Sequence, residues 1–147
     1  MKRYFIIYIS IFLLLFIAVG CATMTDVLKG KDEGTSRSYD VTKDQAWEMA
    51  MTVLRWEDCE TIEEHKSSGY MLTTIGVSLV SDGTLVGVWV EPDGEEKTNV
   101  TVVTKRKVQT NLATGLTETT FHDRFRQAVD IVKSGKTLPI EAPPYNW

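Results

Sequence analysis

Few side chains in this sequence could do chemistry, and their spacing argues against most of it. Two cysteines, Cys21 and Cys59, and two histidines, His65 and His122, supply all of its thiol and imidazole groups. They form no cluster at ligand spacing, so no transition-metal site is expected. Glu118, His122 and Arg126 are spaced by four and would share one helix face, where surface pairing accounts for them. A catalytic histidine would need a nucleophile or an acid partner. No Gly-x-Ser-x-Gly, P-loop or dinucleotide glycine pattern supplies one. Glu57, Asp58, Glu60, Glu63 and Glu64 crowd one stretch, but their spacing fits no calcium loop and reads as a solvated acidic edge. Lys105-Arg106-Lys107 reads as charge that guards a long strand against edge pairing. The expectation is a protein with no catalytic residues, no metal and no cofactor, and not an enzyme.

Cys21 is the exception, because of what precedes it. Lys2 and Arg3 lead into an apolar run from Tyr4 to Val19 that closes on Gly20-Cys21, the pattern of a secretory signal. Positive charge stays on the cytoplasmic side, so the downstream chain crosses the membrane. Three fates are open. A general signal peptidase could accept Ala18-Val19-Gly20. The segment could stay as an anchor, since the uncharged residues from Tyr4 to Thr25 would cross a hydrocarbon core of about 30 Å. Finally, Ala18-Val19-Gly20-Cys21 resembles a bacterial lipobox, whose cysteine is diacylated and becomes the new N-terminus. Ala18 stands where that motif usually has Leu. The resemblance implies residues 1–20 as a lipoprotein signal peptide and Cys21 as the lipidation site. Two acyl chains anchor stably where one binds only marginally.

Without residues 1–20, 127 residues remain, enough for one domain and too few for two. They carry 14 basic against 20 acidic residues, a net charge of −6. That opposes nucleic-acid binding, which rests on neutralising phosphates. With Cys21 acylated, Cys59 has no thiol to pair with and is expected as a buried structural thiol rather than a reactive one.

These residues must be positioned by a modest set of elements. Residues 21–38 are polar and Gly/Ser/Thr-rich, and read as a flexible tether. Thr42 and Gln45 form a capping box, and Ala46, Ala50, Val53 and Leu54 recur at helical spacing, so a helix is expected from Lys43 to about Glu57. The period then becomes strand-like. Strands are expected over Thr61–Glu64, Tyr70–Ile75, Thr84–Val90 and Thr98–Lys107, with a hairpin turn at Asp82-Gly83. Thr117 caps a second helix whose stripe is Phe121, Phe125, Ala128, Val129 and Val132, with Gly135 just past its end. Residues 139–147 read as an extended Pro-rich tail. The fold class expected is α+β. In it a four-stranded antiparallel sheet is flanked by an N-terminal and a C-terminal helix, a two-layer α-β-β-β-β-α domain over residues 39–138.

One strand is anomalous. Thr84–Val90 places Leu85, Gly87 and Trp89 on one face and Val86, Val88 and Val90 on the other, so both faces are apolar. A two-layer sheet leaves one face in water, and something should cover it. The chain's own tail or loops are one candidate. The other is a partner protein or apolar ligand, with Leu85, Trp89, Tyr145 and Trp147 as anchors. The block from Gly83 to Pro92, the Asn99–Lys107 strand and Leu116–Phe125 together resemble a group of small bacterial lipoproteins of unknown function. At fold level the pattern is similar to the helix-grip domains of BamC-type lipoproteins of the outer-membrane assembly machine. The resemblance carries no catalytic residues. Together these readings lead one to expect a lipid-anchored envelope protein that works by binding, as an accessory subunit of an envelope assembly. Ala22 after the cysteine is the kind of residue that lipoprotein sorting implies for the outer membrane, facing the periplasm. The alternative is a small-ligand or lipid-binding domain with a pocket between sheet and helix.

Overall fold

A computed structural model of the protein describes residues 21–78, 81–107 and 116–145. Residues 1–20, where a signal peptide is expected, and residues 79–80, 108–115 and 146–147 lie outside the described set. Chain order is α1 (Met24–Lys29), β1 (Thr35–Tyr39), α2 (Lys43–Trp56), β2 (Cys59–His65), β3 (Tyr70–Ser78), β4 (Ser81–Pro92), β5 (Thr98–Arg106) and α3 (Glu118–Lys133). The fold is α+β with an antiparallel sheet, but the sheet has five strands, in the order β1-β5-β4-β3-β2.

The helices begin where their caps dictate. The Thr42 side chain accepts from the Gln45 amide while Gln45 accepts from Thr42 N–H, closing the box that starts α2. Thr117 accepts from Thr120 N–H and starts α3. The apolar stripes of α2 and α3 lie on one face of the sheet. There Ala46, Leu54, Phe121 and Phe125 pack with Val86, Val88, Val90, Val100 and Val102, all with no exposed surface. Each of the larger side chains among these contributes about 1.5–3 kcal/mol, so this layer is the main support of the fold.

Two expectations are corrected. The stretch expected as a tether is folded. Residues 24–29 form α1, capped by a second box in which Thr23 and Asp26 bond each other's backbone. Thr35–Tyr39 joins the sheet edge, with Thr35 opposite Val102 and Tyr39 opposite Thr98. Polar composition misled here because β1 is an edge strand, held by main-chain bonds and by partners far along the chain. The β3–β4 turn also differs. Ser78 pairs with Ser81 and Val77 with Asp82, so Asp82-Gly83 lies within β4. Gly83 uses its positive φ of 81° inside the strand instead of at a turn.

Candidate functional site

Position 21 is where the sequence leads one to expect lipidation, and the fold leaves that position short of slack. Cys21 is exposed. One residue later the Ala22 amide donates to the Lys107 carbonyl at 3.2 Å, just past the end of β5. Ala22 and Met24 are partly buried, and Val27 on α1 is fully buried, against Leu72, Leu85, Trp89 and Val103. The second face of β4 is therefore covered by the chain itself, from its N-terminal side.

This decides the fate of the anchor residues expected from sequence. Leu85 and Trp89 do come together, but at 4% and 5% exposure they are core residues of the α1 layer. They are not available as partner anchors. The packing is close: a Cβ on Gly87 would lie 2.6 Å from Val27 Cγ1 and 2.8 Å from the Trp89 ring. Glycine is required where α1 approaches the strand. Tyr145 is on the other side of the sheet, with α2 and α3, so it shares no patch with Trp89. Trp147 lies outside the described residues.

Tyr145 belongs to a clasp that the sequence did not announce. Arg124 on α3 is 7% exposed and stands 3.4 Å from the centroid of the Tyr145 ring. It donates to Glu57 at the end of α2 (3.3 Å), to Gln127 (3.1 Å) and to the Pro143 carbonyl (2.6 Å). Tyr145 O–H donates to the same Glu57 oxygen at 3.3 Å, and Gln127 donates to the Pro144 carbonyl. Trp56 Nε1–H adds a bond to the Pro139 carbonyl. The tail is thus held to both helices by a planar guanidinium that bonds in its plane and stacks on its face, which lysine could not do. Tail and α3 bound a surface groove of about 570 Å³ whose walls include Arg126, Asp130, Ile131, Lys136 and Pro143.

Neither histidine sits in that groove. His65 bonds Glu63 and stacks on Tyr70. His122 is fully buried. Its Nε2 faces the Thr35 carbonyl at 2.9 Å, which can only accept, so Nε2 carries the proton. Nδ1 then accepts from Tyr39 O–H at 2.8 Å. Burial holds the imidazole below its usual range and pushes Tyr39 up to about 12. Glu118 completes the cluster, accepting from Thr35 N–H, Thr35 O–H and Thr104 N–H. With both ring nitrogens committed, His122 locks β1 to α3. Cys59 packs partly buried against the main core, and burial pushes its thiol up. Among the described residues, no group of three or more His, Cys, Asp or Glu could hold a metal ion.

No family model matches this chain. No curated protein matches it either. Among solved structures it is similar to a conserved protein from Geobacillus kaustophilus, at 14% identity over 67% of this chain and 93% of that one, with a TM-score of 0.38. It is also similar to an uncharacterised protein from Bacillus thuringiensis, at 7% identity over 69% and 96%, with a TM-score of 0.33. At these scores the likeness carries no argument about function.

Proposed function

We propose that this chain is an envelope lipoprotein, cleaved before Cys21 and anchored through lipid on that cysteine, whose domain works by binding. The observation that carries the reading is how soon the fold begins after the motif. The lipobox-like Ala18-Val19-Gly20-Cys21 ends at Cys21, and among the described residues Ala22 already bonds to Lys107 at the end of β5. Cleavage there would remove the apolar leader and leave the folded body whole. The family resemblance and Ala22 after the cysteine support the outer membrane as its place in a Gram-negative envelope.

Binding is favoured over chemistry because the polar clusters described above are closed. Both ring nitrogens of His122 and both carboxylate oxygens of Glu118 are bonded within the fold, and Arg124 is tied down by Glu57, Gln127 and the Pro143 carbonyl. A ligand pocket between sheet and helices is disfavoured, since that interface is filled by Phe121, Phe125, Leu54 and the valines of β4 and β5. The groove between α3 and the tail offers a better surface for a protein partner, with Ile131 flanked by Arg126, Asp130 and Lys136.

The test has two readouts. Mature protein from a Gram-negative host should gain the mass of a diacylglyceryl group at Cys21, and Cys21→Ser should stay unprocessed. A photo-crosslinking residue at Ile131 should then give one discrete envelope adduct that Arg126→Glu abolishes. No mass gain removes the anchor. Full acylation without an adduct removes the partner reading and leaves the anchor standing.

A further inference from the structure

We propose that the end of the sheet formed by the C-terminus of β5 and the start of β4 lies in the lipid headgroup layer, so the domain sits flush on the membrane in one orientation. This rests on lipidation of Cys21 proposed above.

The argument is one of length. The glycerol of a lipidated cysteine sits at the boundary between hydrocarbon and headgroups, and the headgroup layer on one side is about 5–8 Å deep. One residue of extended chain spans at most about 3.6 Å. Ala22, the next residue, is already bonded to Lys107. An unfolded stretch through residue 38 would have given a root-mean-square reach of about 20–25 Å, enough to clear the headgroups and swing. The fold removes that reach. Ala22 and Met24 are packed against the Leu72–Leu85–Trp89–Val103 cluster, and the Thr23–Asp26 box fixes the turn between them and α1. The stem therefore cannot pay out as slack without uncovering Trp89.

The residues brought to the surface at this end suit the contact. Arg106 and Lys107 are both exposed, and Thr84 is paired with Arg106. Basic side chains at headgroup depth meet lipid phosphates, whatever the overall charge of the domain. The opposite end of β5 is the β4–β5 turn, where Asp93, Glu95 and Glu96 are exposed and acidic. At about 3.4 Å per residue it stands roughly 30 Å from Lys107, beyond the headgroups. The long axis of β5 would thus stand away from the bilayer. The C-terminal end of α3 points the same way, since Lys133 pairs with Asp40 near the start of α2.

The test uses the full acylated protein in vesicles of phosphatidylethanolamine and phosphatidylglycerol. A Cys59→Ala background carries a nitroxide at Lys107→Cys or at Glu96→Cys, and collision with a water-soluble nickel complex reports depth. The Lys107 label should collide several-fold less often than the Glu96 label. Ten Gly/Ser residues inserted between Cys21 and Ala22 should bring the two to equality. Intact mass read on the same samples separates the two ideas. Unmodified Cys21 overturns both. Acylated protein whose Lys107 and Glu96 labels are equally wet, or whose contact survives the insertion, overturns the flush orientation alone.

Discussion

The closest approach in the second core offers a quantitative test of the claim that α1 belongs to the domain. Val27 has no exposed surface and is the residue of α1 that is fully sunk into the sheet. Val27→Ala deletes two carbons, worth about 1.6 kcal/mol of transfer plus a cavity contribution, so a loss of about 2 kcal/mol is expected. Gly87→Ala adds one carbon where a Cβ would stand 2.6 Å from Val27 Cγ1 and 2.8 and 2.9 Å from two Trp89 ring atoms. Overpacking of this kind costs about 1–3 kcal/mol. The two changes should not add. Removing Val27 Cγ1 clears the nearer clash, while the Trp89 ring still has to shift, so the double variant should recover part of the Gly87→Ala cost. A coupling on the order of 1 kcal/mol is expected between them. The assay is urea denaturation of the domain beginning at Ala22, followed by tryptophan fluorescence, with all four members of the cycle compared at constant m. If the two losses add to within about 0.3–0.5 kcal/mol, or if Gly87→Ala costs nothing, α1 does not pack on β4 as described.

Two other outcomes follow from the polar clusters. His122 is buried with its pKa below the ordinary 6.5, so the unfolded chain binds its proton more readily than the folded one. Its contribution is fully present above pH 6.5 and is lost as pH falls below it, by up to about 1.4 kcal/mol per unit, until the folded-state pKa is passed. Urea midpoints measured between pH 8 and 5 should show this decline, and His122→Asn should flatten it. Arg124→Ala strands Glu57, itself 20% exposed by its side chain, and releases the Pro143 carbonyl and Tyr145 ring. A loss of about 2–4 kcal/mol is expected, short of the largest values because Glu57 keeps some water. Amide exchange over residues 138–145 should rise together with that loss, and Arg124→Lys should restore little of either. Unchanged tail exchange in Arg124→Ala would show that the clasp does not hold the tail.

What could be read from sequence and what could not divide along a physical line. The helices α2 and α3 were legible because Thr42, Gln45 and Thr117 announce starts and the apolar stripes run without a break. The strands β3 to β5 were legible because β-branched residues alternate between turn signals. The strand β1 was not, because Thr35-Ser-Arg-Ser-Tyr39 shows no apolar period. It is held by its ladder with β5 and by Glu118 and His122, more than 80 residues away. No local window contains those partners. For α1 a signal existed in Thr23 and Asp26, but six residues with one buried valine make a weak pattern beside the polar stretch that follows. The Asp82-Gly83 pair was misread because a glycine with positive φ serves a strand irregularity as well as a turn. The clasp had no sequence signature at all, since Arg124 and Glu57 look like ordinary solvated charges until the tail folds back.

The double apolar face of β4 was the most informative of these signals, and its resolution changes how the protein is pictured. A sheet with Leu85 and Trp89 open to water would have called for a partner there. Covering that face with α1 instead draws the N-terminal stem tight against the sheet, since Ala22 and Met24 must reach the same cluster that Val27 fills. The same contacts that close the second core therefore take up the slack that a lipid anchor would otherwise have. On the function proposed above, a partner would then be sought away from Trp89, on surfaces that a short stem would leave facing the aqueous side. The groove beside Ile131 lies on α3, whose starting residue Glu118 is bonded to Thr104 near the Lys107 end of β5 and whose last residue, Lys133, pairs with Asp40 at the other. One packing choice on β4 thus sets both how the domain would meet the membrane and which face remains for a partner.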